Sequence, residues 1–316
     1  MLLGHETAWR EWRKALGGER MHHAWLLAGR RGVGKGSFAF AAACELVGVN
    51  PADAQNHPDI LTLTYAPKDD KEERKRADGK PYEVARSIRI AQVRGMQARL
   101  GTRPTLGDKR AIIIDPADDL ERNAANALLK SLEEPPIGTY FLLVAHSPAR
   151  LLPTIRSRCR VFRFPTVSDA EMDRLLADLS PGADTATRAA AIAAAGGSPG
   201  AALQFVDMEL GKVRQAMDEI LARGDPDFQL RGTLAGLIGA RPDRERIRAV
   251  LELARSAVAQ RLDGAMADPR PVIDTHSELV RLTGEQPTYN FDAGLLAMAI
   301  GTLLAKAATA SERADG

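Results

Sequence analysis

Cysteine is scarce in this sequence, which has only Cys44 and Cys159 among 316 residues. So few cysteines exclude a disulfide framework and favour a reducing compartment. An excess of charge of one sign is also missing, because the net charge is only +2. This excludes a strong overall attraction to nucleic acid. The longest apolar run near the end, 294–305, is shorter than the roughly 20 residues that a membrane span needs.

A secretory leader is not indicated either. The first six residues lack the basic region followed by an apolar stretch that is typical of a signal peptide. We therefore expect a cytoplasmic protein with no membrane partner. The composition, with 45% apolar and 27% charged residues, is that of a globular chain long enough for two or three domains.

The first half alternates short apolar runs with helical patterns. The runs 24–28, 60–64, 111–114 and 140–145 predict strands, and the segments 38–47 and 88–100 predict helices. Continuous apolar strands are typical of a mostly parallel sheet with helices on both faces. The segment 68–80 is nearly all charge of both signs, so we predict a solvated loop or hairpin tip there, with a nucleic-acid patch as the alternative.

The second half consists of helix formers. A capping box at 168–171 and the pair Ser198-Pro199 predict helix starts, and Gly196-Gly197 predicts a helix end. An apolar stripe at helical spacing indicates a bundle core or a face toward a partner: Ile247, Leu251, Ala254, Val258 and Leu262. We predict three domains, namely an α/β domain at 1–165, a small helical lid at 166–206 and an all-helical domain at 207–316.

A phosphate-binding loop is indicated at 29–35, which fits G-x-x-x-x-G-K between a predicted strand and a predicted helix. The next position should carry a Mg²⁺-holding hydroxyl, but it is Gly36, and Ser37 is one residue late, which on a helix turns its side chain roughly 100° away. Whether ATP or ADP binds to this loop therefore stays open. Correct placement of a Mg²⁺ ion for catalysis is disfavoured. The candidate nucleotide-binding residues are Gly29, Gly32, Gly34, Lys35, Ser37 and Asp115.

The strand at 112–115 ends in an acid, as the metal-side acid of a nucleotide hydrolase would. Asp115 could retain metal contact or could cap a turn, and both interpretations stay open. The following residue is Pro116, where a hydrolase usually has a glutamate that orients the attacking water. Two separate catalytic parts are thus altered, and we expect no ATP hydrolysis by the chain itself.

Residues 118–121 predict a capping box that opens the next helix. We expect one face of that helix to be buried and the other to be either solvated or set against a neighbouring subunit. The residues of the second face are Asn123, Asn126, Lys130 and Glu133. A short helical turn near Pro148 then leads to Ser157-Arg158-Cys159, where we expect Arg158 to project from the domain surface.

The motifs 29–35, 57–59, 126–136 and 154–159, taken together, resemble the clamp-loader family of AAA+ proteins, and within it the non-motor subunits of the bacterial DNA polymerase III complex. The resemblance implies an AAA+ fold, in which Arg158 acts in trans on ATP held by an adjacent motor subunit. The motor subunits also carry a lid arginine, and the matching position here is Gly200. The implied partners are the motor subunits and the delta subunit of a hetero-pentamer, with the sliding clamp and primed DNA contacted indirectly.

Most members of that family carry a four-cysteine zinc module, but the corresponding stretch 48–56 has no cysteine here. Two cysteines cannot form a tetrahedral site between them, and the histidines at 22, 23, 57 and 146 lack partners at ligand spacing. We therefore expect no zinc or other metal and no required cofactor.

Two alternatives remain open at this point. The first is an active ATPase motor subunit of the same machine, against which Gly36, Pro116 and Gly200 argue. The second is a small-molecule kinase with a P-loop or another nucleotide enzyme, against which the helical last third and Ser157-Arg158-Cys159 argue. In the favoured interpretation the isolated chain is not an enzyme, and DNA polymerase activity belongs to the whole assembly.

Overall fold

The computed structural model describes residues 5–18, 21–54, 56–262, 268–285 and 292–312. Its contacts divide the chain into two compact units, Met1–Thr166 and Val167–Gly316. None of the described helices is both long enough and apolar enough to cross a bilayer.

The first unit is built on a parallel sheet whose strands follow the order β2-β3-β4-β1-β5. The strands are β1 (Ala24–Ala28), β2 (Ile60–Leu63), β3 (Arg110–Ile114), β4 (Thr139–Ala145) and β5 (Arg160–Arg163). The four predicted strands are confirmed within one residue at each end, whereas β5 was not predicted. The helices of this unit are α1 (Glu6–Leu16), α2 (Lys35–Val47), α3 (Asp70–Ala77), α4 (Ile90–Leu100), α5 (Arg122–Glu133) and α6 (Pro153–Arg156).

Both faces of the sheet are covered, which explains why its strands are apolar without alternation. Alternate residues of β1 show this, because Leu26 packs into a cluster with Leu128 of α5, whereas Trp25 packs into a second cluster with Phe38 of α2. All five residues of β1 and all five of β3 are buried. The predicted α/β layer structure is therefore confirmed.

The prediction of a loop or hairpin tip at 68–80 is wrong, because α3 occupies most of that segment. Asp69 caps this helix by accepting the amide N–H of Glu72. Acidic residues lie in the first turn and basic residues in the last, which complements the helix dipole. Ion pairs one turn apart, Lys75–Glu72 and Arg76–Glu73, add to it. A charged sequence here is a short capped helix.

The capping box predicted at 118–121 is also wrong. A 3₁₀ turn covers Ala117–Asp119, and α5 starts only at Arg122, where Glu121 precedes it without a side-chain cap. Asp118 is 7% exposed and accepts the amide N–H groups of His146 and Ser147 after β4. The carboxylate is therefore used to hold two loops together, and it is not free to cap a helix.

The second unit is entirely helical in its described part. Its helices are α7 (Asp169–Leu179), α8 (Thr185–Ala195), α9 (Pro199–Asp207), α10 (Gly211–Arg223), α11 (Gln229–Ile238), α12 (Arg244–Ala259), α13 (Arg270–Glu285) and α14 (Ala293–Glu312). The predicted capping box is confirmed at Ser168 and Glu171, as is the cap that Ser198 gives to α9. Gly196 follows α8 in the left-handed conformation, which confirms the predicted helix end.

The apolar stripe of α12 faces the core at three of its five positions, since Leu251, Ala254 and Val258 are fully buried. Ile247 packs at the edge of this core, and Leu262 is exposed beyond the end of the helix. One cluster of buried residues runs from Val167 to Ala307. The further division of this unit into 166–206 and 207–316 stays a prediction.

Candidate functional site

The predicted P-loop lies between β1 and α2. Gly34 directly precedes α2 with a φ of 95°, a left-handed value at which glycine is favoured. Gly29 opens the loop, where its amide N–H donates to the carbonyl of Ala145. A Cβ atom at Gly29 would lie 2.4 Å from the carbonyl oxygen of Phe164, so only glycine fits. Gly32 forms the turn between them, again with positive φ.

The P-loop lysine is turned onto its own loop. The Nζ atom of Lys35 donates to the carbonyl oxygens of Gly29 at 2.7 Å and Arg30 at 2.6 Å, and the residue is only 2% exposed. Burial lowers the pKa of Lys35 to about 8, although the carboxylates of Asp115 and Asp118 act in the opposite direction. The ammonium group that would bind a phosphate is thus already bound by carbonyl groups of the loop.

The metal-side acid lies against the position where the metal-binding hydroxyl is missing. A Cβ atom at Gly36 would be 2.5 Å from Oδ2 of Asp115, so the carboxylate occupies the space of any side chain there. Burial raises the pKa of Asp115, against the opposing effect of Lys35. Ser37 is exposed one residue further along α2. The structure therefore brings Asp115, Lys35 and Gly36 together, but it leaves no hydroxyl beside them.

The residues after Asp115 present no catalytic base in this part of the described chain. Pro116 and Ala117 are buried, and the next acid, Asp118, is 7% exposed and binds two backbone N–H groups. Two of the three N–H donors of Lys35 are bound to loop carbonyls, so one donor remains for a phosphate group. Position 36 offers no side-chain ligand to a Mg²⁺ ion, and the carboxylate of Asp115 is the oxygen ligand that lies beside it.

Sequence reasoning missed His5, which belongs to the same region. This residue is 3% exposed, its Nε2 atom contacts the carbonyl oxygen of Val33 in the P-loop, and its ring packs edge-on against Phe164 at 4.8 Å. A single histidine just before a helix carries no recognisable pattern. Only the fold, which returns the chain start to the loop, could have revealed it.

Arg158 belongs to a second group of residues, formed by α5 and α6. Ile155 and Cys159, on either side of it, pack against the same apolar cluster as Leu128 and Leu132 of α5. The amide N–H of Arg158 donates to the carbonyl of Ile155. Burial raises the pKa of Cys159 to about 12, so this thiol is an apolar anchor and no nucleophile. The backbone of Arg158 is therefore held firmly from both sides.

The side chain of Arg158 does not project freely, which corrects that expectation for the chain taken alone. Nη1 donates to the carbonyl oxygen of Thr154 at 2.9 Å, and Nη2 lies 2.6 Å from Oε1 of Glu133. The side chains of Arg158 and Glu133 are 35% and 48% exposed. An ion pair with this exposure contributes about 0.2–1 kcal/mol to stability.

Glu133 is the last residue of the polar face of α5. All four predicted members of that face are exposed: Asn123, Asn126, Lys130 and Glu133. The other face is buried through Ala124, Leu128 and Leu132, as predicted. Because Arg158 binds Glu133, the arginine and the polar face of α5 form one continuous surface.

Among the residues that the structure describes, no three His, Cys, Asp or Glu side chains are grouped so that they could hold a metal ion. Cys44 is buried in α2, and Cys159 is half-buried before β5. The prediction of no zinc stays a prediction.

Residues 4–168 match the family described as DNA polymerase III, delta subunit. A relative from Pseudomonas aeruginosa, DNA polymerase III subunit delta', is 35% identical over 207 residues, covering 60% of this chain and 58% of that protein. The subunit delta' of Escherichia coli K12 is 30% identical over 233 residues, covering 69% and 64%. A DNA polymerase III subunit tau/gamma from Haemophilus influenzae is 31% identical over 163 residues, covering 51% and 22%.

These alignments span less than two thirds of the length of the relatives. A solved structure of a DNA polymerase III gamma subunit-related protein from Thermotoga maritima is 15% identical, with a TM-score of 0.54, and covers 95% of this chain and 98% of that one. At this identity the likeness bears on the fold alone. Together with the parallel sheet and the helical second unit, it confirms the predicted AAA+ fold class.

Proposed function

The chain belongs to the DNA polymerase III delta subunit family, and from this premise we propose that it is a non-catalytic, delta-prime-type subunit of a clamp loader. Relatives named delta' and tau/gamma support membership of the clamp-loader family. In the proposed hetero-pentamer the chain braces the assembly beside the motor subunits and the delta subunit. It thereby supports loading of the sliding clamp on primed DNA in the cytoplasm.

The contact between Asp115 and Gly36 carries the proposal that this subunit does not hydrolyse ATP. Phosphoryl transfer needs a bound Mg²⁺ and a group that orients the attacking water. The carboxylate of Asp115 lies where a hydroxyl side chain of residue 36 would have to be, and Pro116 follows in place of an acid. Both needs are thus unmet at neighbouring positions, and the P-loop lysine is bound to its own loop.

The proposed active contribution is that of Arg158 to ATP held by a neighbouring subunit. A guanidinium group is planar and always charged, and it can stabilise the negative charge that spreads over the transferring phosphoryl oxygens. Such an arginine supplied in trans can be worth roughly 10³–10⁵ in rate at its own site. The packing of Ile155 and Cys159 supports this role, because it fixes the backbone from which the side chain of Arg158 extends.

The test is a clamp-loader complex reconstituted from this chain and its partner subunits, with Arg158 changed to alanine. We expect normal assembly and a partial loss of the clamp- and DNA-stimulated ATPase, because other ATP sites would receive arginines from other subunits. Arg158→Lys should rescue little, since a point charge does not reproduce the planar fork. The matched control is Arg156→Ala, which removes an exposed arginine two residues away and should leave the rate unchanged.

Unchanged ATPase in an assembled Arg158→Ala complex would contradict the trans role, and failure to assemble would make the arginine structural. The purified chain alone should hydrolyse ATP no faster than its Lys35→Ala variant. A turnover that depends on Lys35 would instead favour an active motor subunit.

A further inference from the structure

The guanidinium group of Arg158 is held at two of its nitrogen atoms. Nη1 donates to the carbonyl oxygen of Thr154 in the preceding turn, and Nη2 is bound by the carboxylate of Glu133 from α5. Two anchors on different nitrogens fix both the position and the plane of the group. An arginine has five N–H donors, so three remain for another ligand.

We propose that Glu133 is a positioning residue for Arg158, which orients the guanidinium group before the phosphate of a neighbouring subunit reaches it. The inference rests on the proposed function of Arg158. It also gives a role to the polar face of α5, whose last member is Glu133.

Pre-orientation follows from the flexibility of arginine. A free arginine side chain samples many rotamers. Restricting it to one rotamer when phosphate binds costs conformational entropy, which weakens the binding. Glu133 is the last residue of α5 and directly follows Leu132, which is 1% exposed in the core. The buried neighbour holds the backbone of Glu133, from which the carboxylate reaches Arg158.

The same carboxylate could in principle act as a latch that keeps Arg158 away from phosphate. The exposure of the pair argues against a latch, since 35% of Arg158 and 48% of Glu133 are open to solvent. Water and salt weaken an exposed pair, so an incoming phosphate can displace or share it. The anchor at Thr154 is an uncharged carbonyl, which does not repel a phosphate as a carboxylate does. Positioning and latching predict opposite changes in rate.

The experiment uses the reconstituted complex with Glu133→Ala, Glu133→Gln and the matched control Glu134→Ala, which alters the exposed neighbouring glutamate. The readout is the share of the stimulated ATPase that depends on Arg158, which is the rate of a complex minus the rate of the Arg158→Ala complex. In Glu133→Ala this share should fall about 2- to 5-fold, the most that an exposed ion pair can contribute to holding the side chain in place. Glu133→Gln should recover most of it, because the amide oxygen still accepts an N–H. Glu134→Ala should not change it.

A double variant, Arg158→Ala with Glu133→Ala, tests whether Glu133 acts through the arginine. We expect it to match Arg158→Ala alone, because a residue that only orients Arg158 has nothing to act on without it. A further loss in the double variant would overturn the inference, as would an unchanged or increased rate in Glu133→Ala. If Arg158→Ala leaves the rate unchanged, the proposed function itself fails. If Arg158→Ala lowers the rate and Glu133→Ala does not, only the role of Glu133 fails.

Discussion

The P-loop and the surface around Arg158 carry the two cations that this fold would direct at phosphate, and they treat them in opposite ways. Lys35 is 2% exposed and is bound to carbonyl groups of its own loop. Arg158 keeps 35% of its side chain in solvent and keeps donors beyond the two that are bound. Lys35 is therefore enclosed with one of its three donors left, whereas Arg158 is open to solvent with three of its five donors left for a ligand.

The largest expected effect concerns Lys35 and pH. The pKa of Lys35 is about 8 in the folded chain, against an ordinary value of about 10.4. Between these values the unfolded chain binds more protons, so the free energy of unfolding should rise with pH, by on the order of 3 kcal/mol in total from this group. The rise should be present in the wild type and absent in Lys35→Met, as measured by urea unfolding at several pH values.

Lys71→Met is the control for this pH effect, because Lys71 is exposed on α3 and its removal should leave the slope intact. Equal slopes in the wild type and Lys35→Met would show that the lysine is not buried as described. The comparison between the two cations would then fail on the side of the P-loop.

A smaller effect is expected from restoring the missing hydroxyl at position 36. In Gly36→Thr the new Cβ meets Oδ2 of Asp115, so the carboxylate must turn away, at a cost of about 0.5–1.5 kcal/mol in the free energy of unfolding. Thermal and urea unfolding measure this loss, which should largely vanish when Asp115 is also changed to alanine. We expect no gain of ATP turnover, because Pro116 is unchanged.

Gly95→Thr is the matched control for this substitution. Gly95 is an exposed glycine of α4 with open space where its Cβ would lie. A Gly36→Thr variant as stable as Gly95→Thr would mean that Asp115 does not fill the space beside Gly36.

The smallest effect is expected for the stability of variants in the Arg158 surface. Removal of either partner, in Arg158→Ala or Glu133→Ala, should change the free energy of unfolding by less than about 1 kcal/mol, because the ion pair is exposed. Arg156→Ala provides the reference in the same unfolding assay. A loss of several kcal/mol in the free energy of unfolding would show that Arg158, like Lys35, has a structural role. The two cations would then not differ in the way described.

The sheet could be predicted wherever burial left a local signature. Strands β1, β3 and β4 are apolar runs because both of their faces are covered. Strand β5 was missed because it has only four residues and three of them are exposed, including Arg160 and Arg163. An edge strand of this kind has the composition of a loop.

Contacts between distant parts of the chain could not be predicted. The helical signals around Asp118 were real in composition, but the carboxylate binds amide groups 28 and 29 residues further on. The pair of Glu133 and Arg158 is likewise invisible in the sequence, although both residues lie in motifs that were recognised. The P-loop sequence motif also does not reveal that Lys35 is bound to its own loop, because that depends on how the loop folds around the side chain.

Strand β1 runs into the P-loop after Ala28, whereas β5 begins just after Arg158 and pairs with the start of β1 through Trp25 and Arg160. The start of the P-loop and Arg158 therefore lie at opposite ends of two neighbouring parallel strands, about 15 Å apart along the strand direction. One subunit cannot apply both cations to the same nucleotide, so in a ring they would face different neighbours, head to tail. Under the proposed function this gives the ring a direction. The subunit completes an ATP site on one side and offers none on the other, so the series of catalytic sites ends with it.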